Sequence, residues 1–542
     1  MSLTGNGPLS KKSTLIFSAR RSYLRFLFSA LGLPFLPTYN DFQLKTKIHF
    51  NKKNELTILG LGALDISTLN TEIKNPDESQ KYILDYLPVN NQWNYTIGLV
   101  YKHFREHGVD DYILSRNMLD NIRYKYFNND ESNPANKILD YSSQEIENKF
   151  RYERTDKRGQ YKINYGIAGE YVKYNNKTFQ KLFTGDSVFN LNYNSQIEFY
   201  KYSGFGQISR NYFNERLSVS AGFRLDGNSF SSSMTNPLEQ FSPRLSVSYQ
   251  ILPKYAINFN TGRYFQLPPY TALGFRNNTG ELVNKNSNVT YISADHIVAG
   301  IEYQPRPSAK ITVEGFYKIY HNYPFSLTDS ISLANKGADF GTYGDEAITS
   351  TSDGRTYGIE VLARETNLRG FNFLLSYTFV RSEFADGKGK YIPSAWDNRH
   401  LLNLTVSKIF KRNWQIGLKW RYAGGTPYTP YDLQKSSLIS AWDIRNQPYT
   451  DFSKFNTERS SAFHQLDIRI DKSYFFKRWS IMFYVDVQNL YNFKAVGPDF
   501  LTNRDVNGNP LIDANDTSRY VLRPLKNESG TVLPAVGIMI EL

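Results

Sequence analysis

Residues 461–492 read SAFHQLDIRIDKSYFFKRWSIMFYVDVQNLYN, two alternating runs around a short basic turn. In the first run Leu466, Ile468 and Ile470 alternate with Gln465, Asp467, Arg469 and Asp471. In the second, Ile481, Phe483, Val485 and Val487 alternate with Tyr484, Asp486 and Gln488. A period of two marks strands, because successive side chains leave opposite faces of the pleat. Each strand then has one apolar face, with Ile468 and Val485 expected toward lipid, and one polar face, with Asp467 and Asp486 expected toward a lumen. The Lys477-Arg478 turn joins them.

The same beat runs through the chain. Leu217-Val219-Ala221-Phe223-Leu225, Phe371-Phe373-Leu375-Tyr377-Phe379 and Trp414-Ile416-Leu418-Trp420-Tyr422 are its clearest repeats. Ser13–Arg21 reads as the first full strand, 39–51 as the second and 55–67 as the third. Met1–Gly5 reads as the end of a strand that has lost its beginning. Register is weakest over 110–127 and 145–156. The pattern predicts about 20 full strands, each of about 9 to 14 residues, long enough to cross a bilayer when tilted. Short connections such as Lys52-Lys53, Lys157-Arg158, Arg306-Pro307 and Lys411-Arg412 alternate with long ones over 68–91, 268–292, 324–355, 424–460 and 493–533. That alternation predicts an all-β chain folded as a transmembrane antiparallel up-and-down β-barrel with one trimmed rim and one elaborated rim. A propeller would need strands in fours with a repeated blade motif, and no such period is found.

Composition agrees. Among 542 residues, 40 Tyr and 37 Phe bring the aromatic share to 15%, which suits strands and interfaces with one wet and one apolar side. No stretch approaches the roughly 18–20 apolar residues of a spanning helix; the densest, Tyr23 to Pro37, carries Arg25, Gly32 and Pro34. The first residues lack the basic and apolar regions of a signal peptide. Zero cysteines fits an oxidising envelope compartment. The net charge of +13 is spread over turns and loops rather than gathered on a helix, which argues against a nucleic-acid partner.

Several stretches then resemble one family, the barrel of TonB-dependent outer-membrane receptors, especially Bacteroidetes forms. Phe241–Ser246 and Gly262–Tyr270 resemble its central strand pair and the loop start beyond it. Tyr357-Gly358-Ile359-Glu360 is similar to its YGxE strand start, and Trp396–Leu404 to its WDxRHxLNL strand. Trp420–Tyr428 is similar to its G-x-P-Y/F loop start. The resemblance covers nearly the whole chain. It implies a barrel of roughly 22 strands, filled by an N-terminal plug and energised through TonB. It also implies an outer-membrane location in a Gram-negative bacterium, with the C-terminus in the periplasm. Against that pattern residues 1–542 read as one barrel domain without plug or TonB box, about 20 full strands present of an expected 22. This reading expects an N-terminally truncated piece, with the missing plug segment encoded elsewhere and TonB acting through it. Val536, Ile538, Ile540 and Leu542 share a face of the last strand and resemble the signal that barrels present to the assembly machinery, with Leu542 where an aromatic is usual.

For ligand capture the candidates are aromatic, amide and Arg side chains at strand tops and on long loops: Tyr264, Gln266, Tyr270, Arg276, Trp396, Arg399, Tyr428, Tyr431 and Trp442. Rings offer an apolar face and Arg offers a fork to anions. Against this, many could form the aromatic girdle or pack loop on loop. His103-Phe104-Arg105-Glu106-His107 matches H-x-x-E-H, but it sits where a strand runs into a turn rather than on a helix. Asp505-Val506-Asn507-Gly508-Asn509 with Asp513 and Asp516 spaces oxygens like a calcium loop, yet Pro510 stands where Gly is needed and Asn507-Gly508 suffices as a turn. No resident metal or cofactor is expected, and no catalytic constellation points to an enzyme. The function expected is the barrel portion of a TonB-dependent transporter for a scarce siderophore, vitamin, glycan or peptide. The alternatives are a passive porin-like channel or surface binding scaffold, and a soluble all-β binding protein.

Overall fold

The structure, a computed structural model, describes residues 1–184, 187–287, 289–336 and 345–542. Among them one antiparallel sheet holds 23 strands. Two are short additions at loop ends, Ile331–Ser332 and Tyr391–Pro393; the other 21 form an up-and-down meander from Ser2–Ser10 to Leu533–Glu541. Because 21 is odd, the first and last meander strands run in the same direction. Ser2–Ser10 pairs only with Ser13–Arg21, and Leu533–Glu541 only with Ser480–Gln488. Among the described residues the sheet therefore does not close on itself.

The decisive hairpin is present as Phe463–Phe475 paired with Ser480–Gln488, in the register Ile468↔Val487 and Ile470↔Val485. Its apolar side chains line up with their neighbours. Val406 faces Leu418, Leu418 faces Ile468, and Val485 faces Val536. Further along, Ile257, Ile301, Val313 and Val361 continue the row. Most of these side chains are exposed: Val485 is 46%, Ile301 57% and Val313 45% open to the surroundings. The opposite face carries charge pairs, among them Lys310–Glu302 at 2.6 Å, Arg224–Asp226 at 2.7 Å and Arg469–Asp471 at 2.7 Å. One face is a continuous apolar band and the other an ion-paired wall.

Three expectations need correcting. The first strand runs past Met1–Gly5 and through the expected Gly7-Pro8 turn: Ser2–Ser10 pairs with Ser13–Arg21 from Ser2↔Arg20 to Ser10↔Ser13. Pro8 is tolerated because the strand is an edge, and the Phe17 ring packs over Gly5, where a Cβ would collide. The segments of weak register are long unbroken strands, Gly108–Tyr126 with 19 residues and Lys137–Arg158 with 22. Strand length itself exceeds the expected range, reaching 24 and 26 residues in Tyr161–Thr184 and Ser187–Tyr212.

Those long strands rise past the apolar band, and there they pack differently. Val172, Tyr174, Ile197 and Phe199 turn their buried side chains toward the polar-wall side, where loop residues Phe230, Met234, Leu273, Val289, Leu333 and Ile348 meet them. This is the main core of the molecule. It lies at the long-loop end, between sheet and loops rather than between layers of sheet.

Candidate functional site

Three long connections converge at that end. The first, between Asn54–Leu69 and Val89–Arg105, was expected to be a polar loop and contains the helix Glu78–Tyr86. Asp77 and Gln80 start it with a reciprocal capping box, each side chain accepting from the other's backbone N–H at 2.8 Å. One turn apart on one face, Tyr82 and Tyr86 bring their rings to 5.2 Å, and Phe500 lies 4.8 Å from Tyr82. At the helix end Lys125 Nζ donates to the carbonyls of Leu84 (2.6 Å) and Leu87 (3.0 Å), a cation on orphaned carbonyls.

The second connection carries the short helices Leu433–Ser437 and Ile439–Trp442. Asp432 caps the former by accepting the Lys435 N–H at 2.9 Å. Trp442 is 2% exposed. Just beyond it the Arg445 guanidinium lies 4.7 Å from the centre of the Tyr449 ring. Its Nε has no hydrogen-bond partner, and among the described residues no carboxylate forms an ion pair with it. Burial pulls the Arg445 guanidinium below its usual range, while Tyr449, Tyr82 and Tyr431 push the other way. Burial raises the Tyr431 phenol, reinforced by Tyr86 and Tyr428 and opposed by Arg445.

The third connection completes the surround. Arg523 pairs with Glu78, Arg504 lies 3.8 Å from Asp85, and the Tyr520 hydroxyl donates to Asp443 at 3.0 Å. Burial raises both acids, Asp85 against the pull of Arg504 and Lys125, and Asp443 against Tyr520 and Arg504. Glu78, Tyr82, Asp85, Trp442, Arg504 and Arg523 are among the residues lining a small cavity of about 30 Å³ where the three connections meet. The space offers ring faces and a rim of paired charges, with the buried Arg445 behind its Trp442 and Asn446 wall.

Of the sequence candidates, Tyr428, Tyr431 and Trp442 belong to this cluster. The others lie elsewhere. Tyr264 sits on the polar wall with its ring 4.6 Å from His296 and under the Arg244 guanidinium at 4.6 Å, and Gln266 ends the same strand. Tyr270 opens the short helix Tyr270–Leu273 and hydrogen-bonds Glu147 and Lys201 beside the main core. Arg276 is engaged by Gly280 O at 2.7 Å and Ser195 Oγ at 3.3 Å. Trp396 is 51% exposed, and Arg399 follows it with a left-handed φ of 63°. Sequence reasoning missed Arg445, Tyr82, Tyr86 and Arg504. The Asp77-x-x-Gln80 box with aromatics at 82 and 86 was the available sign of the helix that presents the rings. His103 ends up in the strand Val89–Arg105, its ring 2.8 Å from the Asn54 amide oxygen, with Glu106 and His107 in the following turn. Asp505 accepts the backbone N–H groups of Asn507 (2.9 Å) and Asn509 (2.8 Å), as a turn residue does.

Residues 21–490 match the model of a protein family described as TonB dependent receptor-like, beta-barrel. The chain belongs to this TonB-dependent receptor family. It is accordingly an outer-membrane β-barrel protein that crosses with strands, and the apolar band is its lipid-facing surface. Its family and structural relatives are receptors and transporters rather than enzymes. No curated protein matches it. Among solved structures, the ferripyoverdine receptor of the outer membrane of Pseudomonas aeruginosa superposes with a TM-score of 0.65 at 11% identity, over 99% of this chain and 69% of that one. The ferric citrate transporter FecA gives 0.63 at 12% identity over 100% and 75%, and the copper transporter OprC gives 0.63 at 12% over 100% and 79%. At these identities the likeness is one of fold.

Proposed function

We propose that this chain forms the barrel portion of a TonB-dependent transporter that captures a scarce anionic ligand at its long-loop end. The observation that carries the reading is Arg445: a charge held among Tyr82, Tyr431 and Tyr449 with an unpaired Nε and, among the described residues, no ion-paired acid. A buried polar group is normally satisfied, and an incoming anion would satisfy this one. The relatives bind or carry ferripyoverdine, ferric citrate and copper, and an iron chelate with carboxylate or catecholate groups has the matching chemistry.

In this reading the long loops face outward and the short turns, together with the C-terminal strand, face the periplasm. Closure is part of the proposal. Two edge strands that run in parallel cannot pair antiparallel with each other, so an odd number of further strands completes the cylinder, one being enough for 22. Unpaired edges would otherwise meet lipid, where backbone groups must be satisfied. The outward row Val536, Ile538, Ile540 and Leu542, from 58% to 103% exposed, stays the surface proposed for recognition by the assembly machinery. Energy would come from TonB, the partner of the family.

Trp442 provides the readout. Titrating the detergent-purified protein with ferric citrate and with a ferric catecholate should change its tryptophan fluorescence for at least one of them. Arg445→Met should weaken that binding about tenfold or more, the worth of one charge-assisted contact. Unchanged affinity in Arg445→Met removes this site from the proposal. Steady conductance in planar bilayers without any ligand response would favour a passive channel instead.

A further inference from the structure

Cations edge the lipid-facing surface at both rims, and only some of them are neutralised. Near the long loops, outward-pointing cations are neutralised within the protein: Lys173 lies 3.1 Å from Glu198, Arg263 2.7 Å from Asp295 and Arg355 2.8 Å from Glu383. Near the short turns Arg105, Arg154 and Arg306 are paired in the same way with Asp110, Asp156 and Glu365, but four other cations lie against rings. Arg210 sits 4.8 Å from the Tyr161 ring and 4.5 Å from that of Tyr212. Arg216 is 5.8 Å from Tyr249. Lys408 is 3.9 Å from Phe371 and 5.4 Å from Phe410, and Lys472 is 4.8 Å from Tyr474 and 5.4 Å from Trp414. Among the described residues none of these four makes an ion pair with a carboxylate. Their polar contacts are to neutral oxygens: the amide of Gln160 and the Tyr161 hydroxyl for Arg210, the carbonyls of Gln250 and Ile251 for Arg216, and the Arg412 carbonyl for Lys472.

The parity of the strands places Arg210, Lys408 and Lys472 outside, while Arg216 lies in the turn before Leu217–Asn228, against the ring of the outward Tyr249. Arg210 follows Ile208, Lys408 follows Leu404 and Val406, and Lys472 follows Ile468 and Ile470 on the apolar face. Each lies within a few residues of a short turn, and those turns add exposed cations of their own in Lys477 and Arg478. A cation over an exposed ring at the edge of an apolar band keeps its stem in hydrocarbon and its charge at headgroup depth.

We propose that these four cation–ring pairs bind the phosphates of anionic phospholipid in the leaflet beside the short turns. The phosphodiester supplies the negative charge that the described residues do not bring to these four, while the rings pack against the glycerol and upper acyl chains. Phosphatidylglycerol should be preferred over phosphatidylethanolamine, whose own ammonium already neutralises its phosphate. The inference rests on the membrane position of the band and is independent of the ligand site at the other end.

Native mass spectrometry of the full chain in mixed micelles tests it. Wild type should retain phosphatidylglycerol, more of it than phosphatidylethanolamine, and lose it as salt rises. Lys408→Gln combined with Lys472→Gln should weaken retention roughly tenfold, at about a factor of several for each cation at the surface. The neutral control Arg306→Gln with Glu365→Gln removes a self-paired cation of the same rim (2.5 Å) and should change nothing. Heat-modifiable gel mobility reports folding. If the Lys variant fails to fold, Arg210→Gln with Arg216→Gln takes its place, and the wild-type salt response stands by itself. Equal retention in wild type and variant, no lipid preference, or full displacement by equimolar inorganic phosphate overturns the proposal, the last by showing a site for free anions.

Discussion

The two halves of the strand Ser187–Tyr212 obey opposite rules. In its lower half the outward positions are Tyr200, Tyr202, Gly204, Gly206, Ile208, Arg210 and Tyr212, and the inward ones are Lys201, Ser203, Phe205, Gln207, Ser209 and Asn211. In its upper half the outward positions are Asn190, Asn192, Asn194, Gln196 and Glu198, all exposed. The inward ones are Leu191, Tyr193, Ser195, Ile197 and Phe199, all buried. The pleat never changes register; what changes is the solvent on each side. Below residue 200 lipid lies outside and a polar lumen inside, so apolar side chains face out. Above it water lies outside and the folded loops lie inside, so they face in. One strand therefore carries two inverted amphipathic patterns, and the inversion marks the upper edge of the bilayer.

That comparison breaks most sharply at its two buried extremes. Phe199, 2% exposed, packs edge-on to Phe230 at 5.6 Å and to Tyr270 at 5.9 Å. Phe199→Ala should cost about 3–5 kcal/mol, the usual range for emptying such a site, and the loss should fall on the loops. Limited proteolysis should cut the 268–292 and 324–336 segments faster, while heat-modifiable mobility of the sheet persists. Ile208→Lys is the mirror experiment. It puts a charge on the lipid face at a cost of about 2–4 kcal/mol near the midplane and less toward the rim, and it should lower the folded yield in vesicles while leaving the proteolysis pattern of the folded fraction unchanged. If each substitution produced the other's phenotype, the inversion would be misplaced.

Much of the lower half was legible from residues alone. Alternation identifies Phe371–Ala385 or Trp414–Ala423 as strands because lipid tolerates few interruptions on one face, and the basic two-residue turns fix the short-turn rim. The upper half was harder to read for a physical reason. Asn190, Asn192 and Asn194 give no strand signal, since Asn is rare in strands, and the buried partners Leu191 and Tyr193 reveal nothing until the loops that cover them are placed. The candidate site suffered in the same way. Tyr428, Tyr431 and Trp442 could be named because aromatics near a loop start stand out. Arg445 could not, because its meaning lies in the absence of an acid among described neighbours drawn from two separate connections.

The loop core should also respond to acid where the strands do not. Burial, helped by Glu346, raises the Asp345 carboxyl from 3.8 to about 7, with Lys336 and Arg123 pulling the other way. A carboxyl raised on folding binds its proton more tightly in the folded state. Its contribution to stability is therefore complete below the unfolded value and is lost as pH rises through the folded one. Hydrogen exchange of residues 345–350 should be slower near pH 5 than near pH 8, and Asp345→Asn should flatten the difference. Lower-half strands such as Trp414–Ala423 should show no such dependence beyond the intrinsic exchange rate.

The smallest effect is the most specific to the inversion. Gln196 points outward one pleat above Glu198, which holds the Tyr171 hydroxyl at 2.7 Å, and its own amide donates to Glu198 at 2.6 Å. If water bathes that face, Gln196→Leu removes one surface hydrogen bond and should shift stability by no more than about 0.5 kcal/mol, with no gain on reconstitution. If the bilayer reached that height, the same substitution would replace a polar group in hydrocarbon with an apolar one and should stabilise the vesicle-inserted protein measurably over wild type. Urea titrations in vesicles of two thicknesses separate these outcomes. A Gln196→Leu protein that gains stability only in the thicker bilayer would raise the lipid boundary above residue 198 and leave the Asn ladder alone as the part of the wall that stands in water.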